Sequence, residues 1–121
     1  MAQALARAAC LAMASEREGY GLVTVEAAAR GTPSVVVAGP DNVAVELVQD
    51  GVNGAVPRSA SPEDLASALL QVIDSGRALR ATTAEGFAAT SGRLSLERSL
   101  QVILRSYGEA PAPQAAWVAS A

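Results

Sequence analysis

The sequence predicts an α/β protein, part of a doubly wound domain with about three short parallel strands and covering helices. Helical and apolar segments alternate along the first half of the chain, the order that parallel strands joined by right-handed crossovers produce. The apolar segments are short and unalternated, as in Ser34-Val35-Val36-Val37-Ala38, which is the pattern of a parallel strand covered on both faces. Half of the residues are hydrophobic but only 3% are aromatic. Ala and Val therefore build the core, and close helix-on-sheet contact suits them better than a wide sandwich or barrel does. A length of 121 residues fits one domain with a modest core.

Ala2 to Ala9 reads as a short helix, and Cys10-Leu11-Ala12-Met13-Ala14 as a buried strand. Ser15 to Tyr20 is polar, charged and glycine-containing, and reads as a loop. Gly21 to Arg30 reads as a helix, with Gly31 where a C-terminal cap is expected. Thr32 and Pro33 set the entry into the second strand, Ser34 to Ala38. After the turn Gly39-Pro40-Asp41-Asn42, either Asp41 or Asn42 can cap a helix from Val43 to Val48. Asp50-Gly51-Val52-Asn53-Gly54 is a turn, in which Gly51 and Gly54 read as turn formers, and Ala55-Val56 is a very short third strand.

Ser61-Pro62-Glu63-Asp64 opens a helix, with Ser at the cap and acids near the positive helix end. That helix is expected to run to Asp74. Gly76 divides it from another over Arg77 to Ala89, and Leu96 to Tyr107 forms the last helix. The domain is expected over residues 1–108 and a disordered tail with Pro111 and Pro113 over 109–121. The first strand lies near the N-terminus, so it is expected to present an unpaired sheet edge.

Composition excludes several functions. The net charge is −3, and the nine basic residues are all Arg and scattered, which argues against a nucleic-acid surface. The chain has no His, so His-based acid–base chemistry and most zinc sites are absent. Cys10 is the single cysteine, excludes an intrachain disulfide, and reads as a buried thiol. Ala12-Met13-Ala14 before Ser15 mimics a signal-peptidase site. Arg7 interrupts the apolar stretch and no charged leader precedes it, so a cytoplasmic protein without a transmembrane segment is expected.

The stretch that carries chemistry is Ser15-Glu16-Arg17-Glu18-Gly19-Tyr20-Gly21-Leu22-Val23-Thr24-Val25-Glu26. It follows a strand and opens a helix, at the sheet end where parallel α/β folds bind ligands. The helix start offers unpaired N–H groups that suit a phosphate. Gly19 and Gly21 let backbone approach an anion, or else only shape a tight turn. Glu26 interrupts a small-residue helical run. Either it points to solvent, or it faces a cleft where its carboxylate accepts bonds from two neighbouring ribose hydroxyls. Glu18 could reach a sugar hydroxyl in the same way.

The segment Glu18-Gly-Tyr-Gly-Leu-Val-Thr-Val-Glu26 resembles the Glu-x7-Glu motif of the group 1 (family 4) retaining glycosyltransferases of GT-B fold. The resemblance continues through Glu26-Ala-Ala-Ala-Arg-Gly-Thr-Pro33, Glu46-Leu47-Val48 and Asp50-Gly51-Val52-Asn53-Gly54. It returns at Arg93-Leu94-Ser95 and Tyr107, so it spans residues 4 to 108. It implies the C-terminal half of a Rossmann-like donor domain, whose substrate is a nucleotide-sugar such as a UDP- or GDP-hexose, with no cofactor and no metal. By this resemblance Glu18 contacts the donor sugar and is the catalytic residue. Glu26 binds the ribose, and backbone amides of Gly19, Tyr20, Gly21 and Leu22 hold the sugar and diphosphate. Thr24 adds a hydroxyl contact or is helix filler, and Asn42 is a lesser candidate at the same sheet end.

The departures bear on activity. The family's acceptor-binding N-terminal domain and its basic diphosphate clamp have no counterpart here. Arg17 and Arg30, the nearby cations, do not match that clamp, and Leu96 stands where the family often has Trp. Donor recognition without complete catalysis is therefore expected. The alternative is a non-catalytic α/β interaction module, or a subunit of a split enzyme. In either case the exposed sheet edge would pair with a second copy or with a missing-half partner chain.

Overall fold

The computed structural model describes residues 1–92 and 95–109. The chain divides into two compact units, Met1–Thr90 and Ser91–Ala121.

In the first unit, helix α1 (Ala2–Arg7) leads into strand β1 (Leu11–Met13). Strand β2 (Arg17–Glu18), helix α2 (Leu22–Ala28), strand β3 (Ser34–Val36) and strand β4 (Asp41–Asn42) follow. A 3-10 helix (Val43–Leu47), strand β5 (Gly54–Ala55) and helix α3 (Pro62–Ser91, whose last residue falls in the second unit) complete the order. The main sheet has the order β1-β3-β5 and is parallel throughout, with Leu11 opposite Ser34, Met13 opposite Val36 and Val35 opposite Ala55. β1 stands at the sheet edge, as expected. A second, two-stranded parallel sheet pairs β2 with β4.

The β-branched run around β3 is fully interior: Val35, Val36 and Val37 are at most 1% exposed. Successive strand residues point to opposite faces, and the core divides accordingly. Val35 packs with Ala55, Ala68, Val72 and Leu79 beneath α3, while Val36 packs with Met13 and Ala44 on the other face. The α3 residues Ala68, Val72, Leu79 and Thr83 are its buried ones; the four-residue spacing of each pair puts Ala68 with Val72, and Leu79 with Thr83, on one face of its own segment on either side of Gly76.

Several local expectations meet a different outcome. The helix expected over Val43 to Val48 is a 3-10 helix instead. The Asn42 side chain accepts a bond from the Ala44 N–H at 3.0 Å, which tightens a first turn that two β-branched valines already disfavour as α-helix. The third strand falls at Gly54–Ala55 rather than Ala55-Val56. A Cβ on Gly54 would collide with the Ser34 carbonyl oxygen, so this glycine admits the strand to the sheet as well as ending the turn. The division at Gly76, in contrast, is as expected: two helical segments lie within Pro62–Ser91 and are separated there, where φ is 51° and ψ −127°, a conformation that glycine tolerates.

Capping expectations hold. The Ser61 hydroxyl accepts the Asp64 N–H at 3.2 Å. Gly31, at φ 65°, closes α2, and the Thr32 N–H reaches back to the Ala27 carbonyl at 2.9 Å. Thr32 also donates its hydroxyl to the Leu5 carbonyl at 2.7 Å, which ties α1 to the entry of β3.

Arg80 of α3 joins the same region. Its guanidinium donates to the carbonyls of Ala8 at 2.7 Å, Ala6 at 3.0 Å and Arg30 at 3.4 Å. These carbonyls lie at the ends of α1 and α2, where a cation is favoured.

The second unit contains α4 (Leu96–Glu109), where Leu96, Leu100, Ile103 and Tyr107 form an exposed stripe at helical spacing. The expected tail lies outside the described residues from residue 110 on, and Glu109 closes α4. Among the described residues no helix is long and apolar enough to cross a membrane.

Two outcomes follow. Arg80→Ala lowers the unfolding free energy by about 2 kcal/mol, the scale of charge-assisted bonds lost, and Arg80→Lys recovers less than half; a urea midpoint equal to wild type would show that the three carbonyls do not need it. Burial pushes the Cys10 thiol up, so less thiolate is present at pH 8 than for a free cysteine. Iodoacetamide therefore modifies the native chain more slowly than the urea-unfolded chain, and equal rates would contradict the burial.

Candidate functional site

The site begins where β1 ends. Because β1 and β3 are adjacent and parallel, their outgoing loops leave the same sheet end side by side. The loop after β1 runs as β2 through Arg17 and Glu18, in register with Asp41 and Asn42 of β4. The two loops lie close: a Cβ on Gly39 would meet the backbone of Glu16. Asn42, 4% exposed, donates its amide to the Ser15 carbonyl at 3.1 Å and to the Val37 carbonyl at 2.7 Å.

The chain then turns through Gly19 and Tyr20 into Gly21, which has φ 67° and ψ 40°. This left-handed conformation is open to glycine at little cost. Gly21 is also wedged against the 3-10 helix, since a Cβ there would lie 2.5 Å from the Ala44 Cβ. No side chain caps α2. The Thr24 and Val25 N–H groups return to the Gly21 carbonyl at 2.9 and 3.4 Å, which leaves Leu22 and Val23 as the helix-start donors without a partner among the described residues.

Each residue singled out in the sequence can now be placed. Glu18 is half-buried, and its carboxylate accepts the Ser15 hydroxyl at 2.7 Å. Gly19 is open, with nothing within 4 Å of the position a Cβ would take. Tyr20 and Leu22 are exposed, at 60% and 65%. Gly21 is buried, so its backbone lies behind the bend rather than on its surface. Glu26 is exposed one helical turn beyond Leu22, on the side of α2 opposite the buried Thr24 and Ala27. Glu18, Gly19, Tyr20, Leu22 and Glu26 thus line the outer side of a single strand-to-helix bend.

Thr24 and Asn42 face inward. The Thr24 hydroxyl donates to the Met13 sulfur at 3.1 Å in the core, so it acts as helix packing. All three polar hydrogen-bonding functions of the Asn42 amide engage protein backbone. The cations are also engaged: Arg17 pairs with Asp41 at 3.5 Å on the surface, and Arg30 donates to the Glu26 carbonyl at 2.9 Å. Among the described residues no three His, Cys, Asp or Glu side chains gather as a metal site would require.

The supporting roles of Ser15 and Gly39, and the Asn42 bonds to Ser15 and Val37, were not legible beforehand, whereas Asn42 as the helix cap was one of the two options read from the sequence. A two-residue ladder is too short to leave a periodic signal, and Gly39-Pro40-Asp41-Asn42 reads locally as an ordinary turn.

Comparison with known proteins agrees with this architecture. The family model for glycosyl transferases group 1 matches residues 1–89. The D-inositol 3-phosphate glycosyltransferase of Salinispora arenicola (strain CNS-205) is 40% identical over 111 residues, covering 90% of this chain and 24% of the relative. The uncharacterised glycosyltransferase MJ1178 of Methanocaldococcus jannaschii is 32% identical over 99 residues, covering 82% and 27%. Among solved structures, Anabaena Alr3699/HepE in complex with UDP superposes with a TM-score of 0.74 at 27% identity, covering 89% of this chain and 29% of that one. The chain thus spans about a quarter of the length of the curated relatives it matches. A matching family model, a shared α/β GT-B-like fold and relatives of common name place this chain in the group 1 glycosyltransferase family.

Proposed function

We propose that this chain is the nucleotide-sugar-binding portion of a retaining glycosyltransferase, which passes a hexose from a donor such as a UDP- or GDP-hexose to an acceptor hydroxyl. The observation that carries the reading is the bend itself: an open Gly19 and unpaired helix-start amides lie between two acidic side chains at the carboxyl end of β1. The UDP bound to Anabaena HepE supports a nucleotide ligand for this fold.

In this reading the Glu26 carboxylate accepts hydrogen bonds from the two ribose hydroxyls. The amides of Gly19, Tyr20 and Leu22 serve the sugar and diphosphate, with Gly21 holding the turn that presents them. Glu18 contacts the sugar at the reacting end. Departure of the diphosphate calls for positive charge placed where negative charge develops. Arg17 and Arg30 are both directed elsewhere, so we assign that charge and the acceptor pocket to the remainder of the enzyme, which joins at the free β1 edge.

Titration of UDP, GDP and ADP against the 121-residue chain is expected to shift the amide resonances of Gly19 to Leu22. Glu26→Ala should weaken the bound nucleotide at least about tenfold, or about 1.4 kcal/mol. If none of the three nucleotides binds, or if Glu26→Ala binds as well as wild type, the assignment fails. A stable homodimer that ignores nucleotides would favour an interaction module instead. In an assay of donor hydrolysis and transfer, the 121 residues alone should give no robust turnover, and sustained turnover would contradict the assignment of the diphosphate charge elsewhere.

A further inference from the structure

We infer that Asn42 is the positioning residue for the Glu18 carboxylate, acting through Ser15. The inference rests on the donor-site reading of Glu18, and it concerns a side chain that does not touch the ligand.

Ser15 belongs to two hydrogen bonds at once. Its carbonyl accepts the Asn42 amide at 3.1 Å, and its hydroxyl donates to the Glu18 carboxylate at 2.7 Å. Asn42 itself is fixed from both sides, through the Val37 carbonyl at 2.7 Å and the Ala44 N–H at 3.0 Å. The anchor therefore spans the end of β3 and the start of the 3-10 helix, and its position is set by the core. The β2–β4 ladder adds a second constraint, with Glu18 opposite Asn42. Gly39 lets the two backbones approach closely enough for both to form.

Glu18 is only half-buried, at the end of the two-residue β2, and its side chain would otherwise sample several rotamers, each at an entropic cost when a ligand selects one. The chain Asn42 to Ser15 to Glu18 fixes one carboxylate oxygen in advance and leaves the other free to accept a sugar hydroxyl. Asn is required for its chemistry. The amide donates to two carbonyls and accepts one N–H, whereas Asp would set an acceptor against two carbonyl oxygens. Glu26 stands on α2 outside this chain of bonds, so loss of Asn42 should affect the sugar end of the donor and spare the nucleotide end.

The test compares wild type, Asn42→Ser and Ser15→Ala by calorimetry with three pairs of probes: UDP and UDP-glucose, GDP and GDP-mannose, ADP and ADP-glucose. For the pair that wild type binds, both variants should lose about fivefold in affinity for the nucleotide-sugar, the effect of one hydrogen bond. Affinity for the free nucleotide should change less than about twofold on the same scale. The double variant should lose no more than either single variant, because the two residues act in series. Equal losses for nucleotide and nucleotide-sugar, or additive losses in the double variant, would overturn the inference. Ser15→Ala alters only an exposed hydroxyl, so it decides the matter if Asn42→Ser does not fold. If wild type binds no nucleotide, the donor-site reading fails, and amide exchange in the free protein judges the clamp. Faster exchange over Glu16 to Tyr20 in Asn42→Ser, with α3 unchanged, upholds it, and unchanged exchange refutes it.

Discussion

Parallel pairing on both sides of β3 is the constraint from which the rest of the first unit follows. With β1 on one side and β5 on the other, Val35 and Val36 lose all contact with water, and each must find apolar partners on its own face. Alternation along the strand sends them to opposite layers. One layer is supplied by α3 through Ala68, Val72 and Leu79, the other by Met13 and by Ala44 of the 3-10 helix. Small side chains make both layers thin. Glycines at 21, 39 and 54 continue that economy of space into the backbone, since a Cβ at any of them would overlap a neighbouring segment.

The same pairing creates the candidate site. Two adjacent parallel strands release their chains at one end of the sheet, and the two loops have to pack against each other before either can turn back as a helix. The loop after β1 carries the residues of the proposed donor site, and the loop after β3 packs behind it. The β2–β4 ladder, the Gly39 approach and the Asn42 amide are three parts of that one contact. A loop held from behind can leave its outer face open, which is how Gly19, Tyr20 and Leu22 come to stand in solvent while Gly21 is buried.

Polar groups divide along the same line. Among the described residues no buried side-chain nitrogen or oxygen lacks a partner: Thr32, Asn42 and Thr83 all reach backbone carbonyls. Unsatisfied polar groups in the interior would cost stability. At the bend, in contrast, the N–H groups of Leu22 and Val23 have no hydrogen-bond partner among the described residues, because a helix start leaves its first donors open and α2 has no side-chain cap. Donor capacity thus collects at the surface between Glu18 and Glu26.

Much of this was legible in the amino-acid order. The unalternated valines of β3, the glycine after α2, the Ser61 cap and the break at Gly76 are local signals, because each depends on the residue's own backbone preference or on neighbours a few positions away. The acidic bend was legible for the same reason: glycines and carboxylates fall at fixed spacing across a strand-to-helix junction. Only the tertiary structure decided which side chains face outward there. It turned Thr24 into the core, kept Glu26 in solvent, and converted Asn42 from a ligand candidate into an internal brace. Those outcomes depend on contacts between residues far apart in the chain, such as Asn42 with Ser15 and Arg80 with Ala8. Contacts of that kind form when parallel strands bring distant segments together, and no local pattern encodes them.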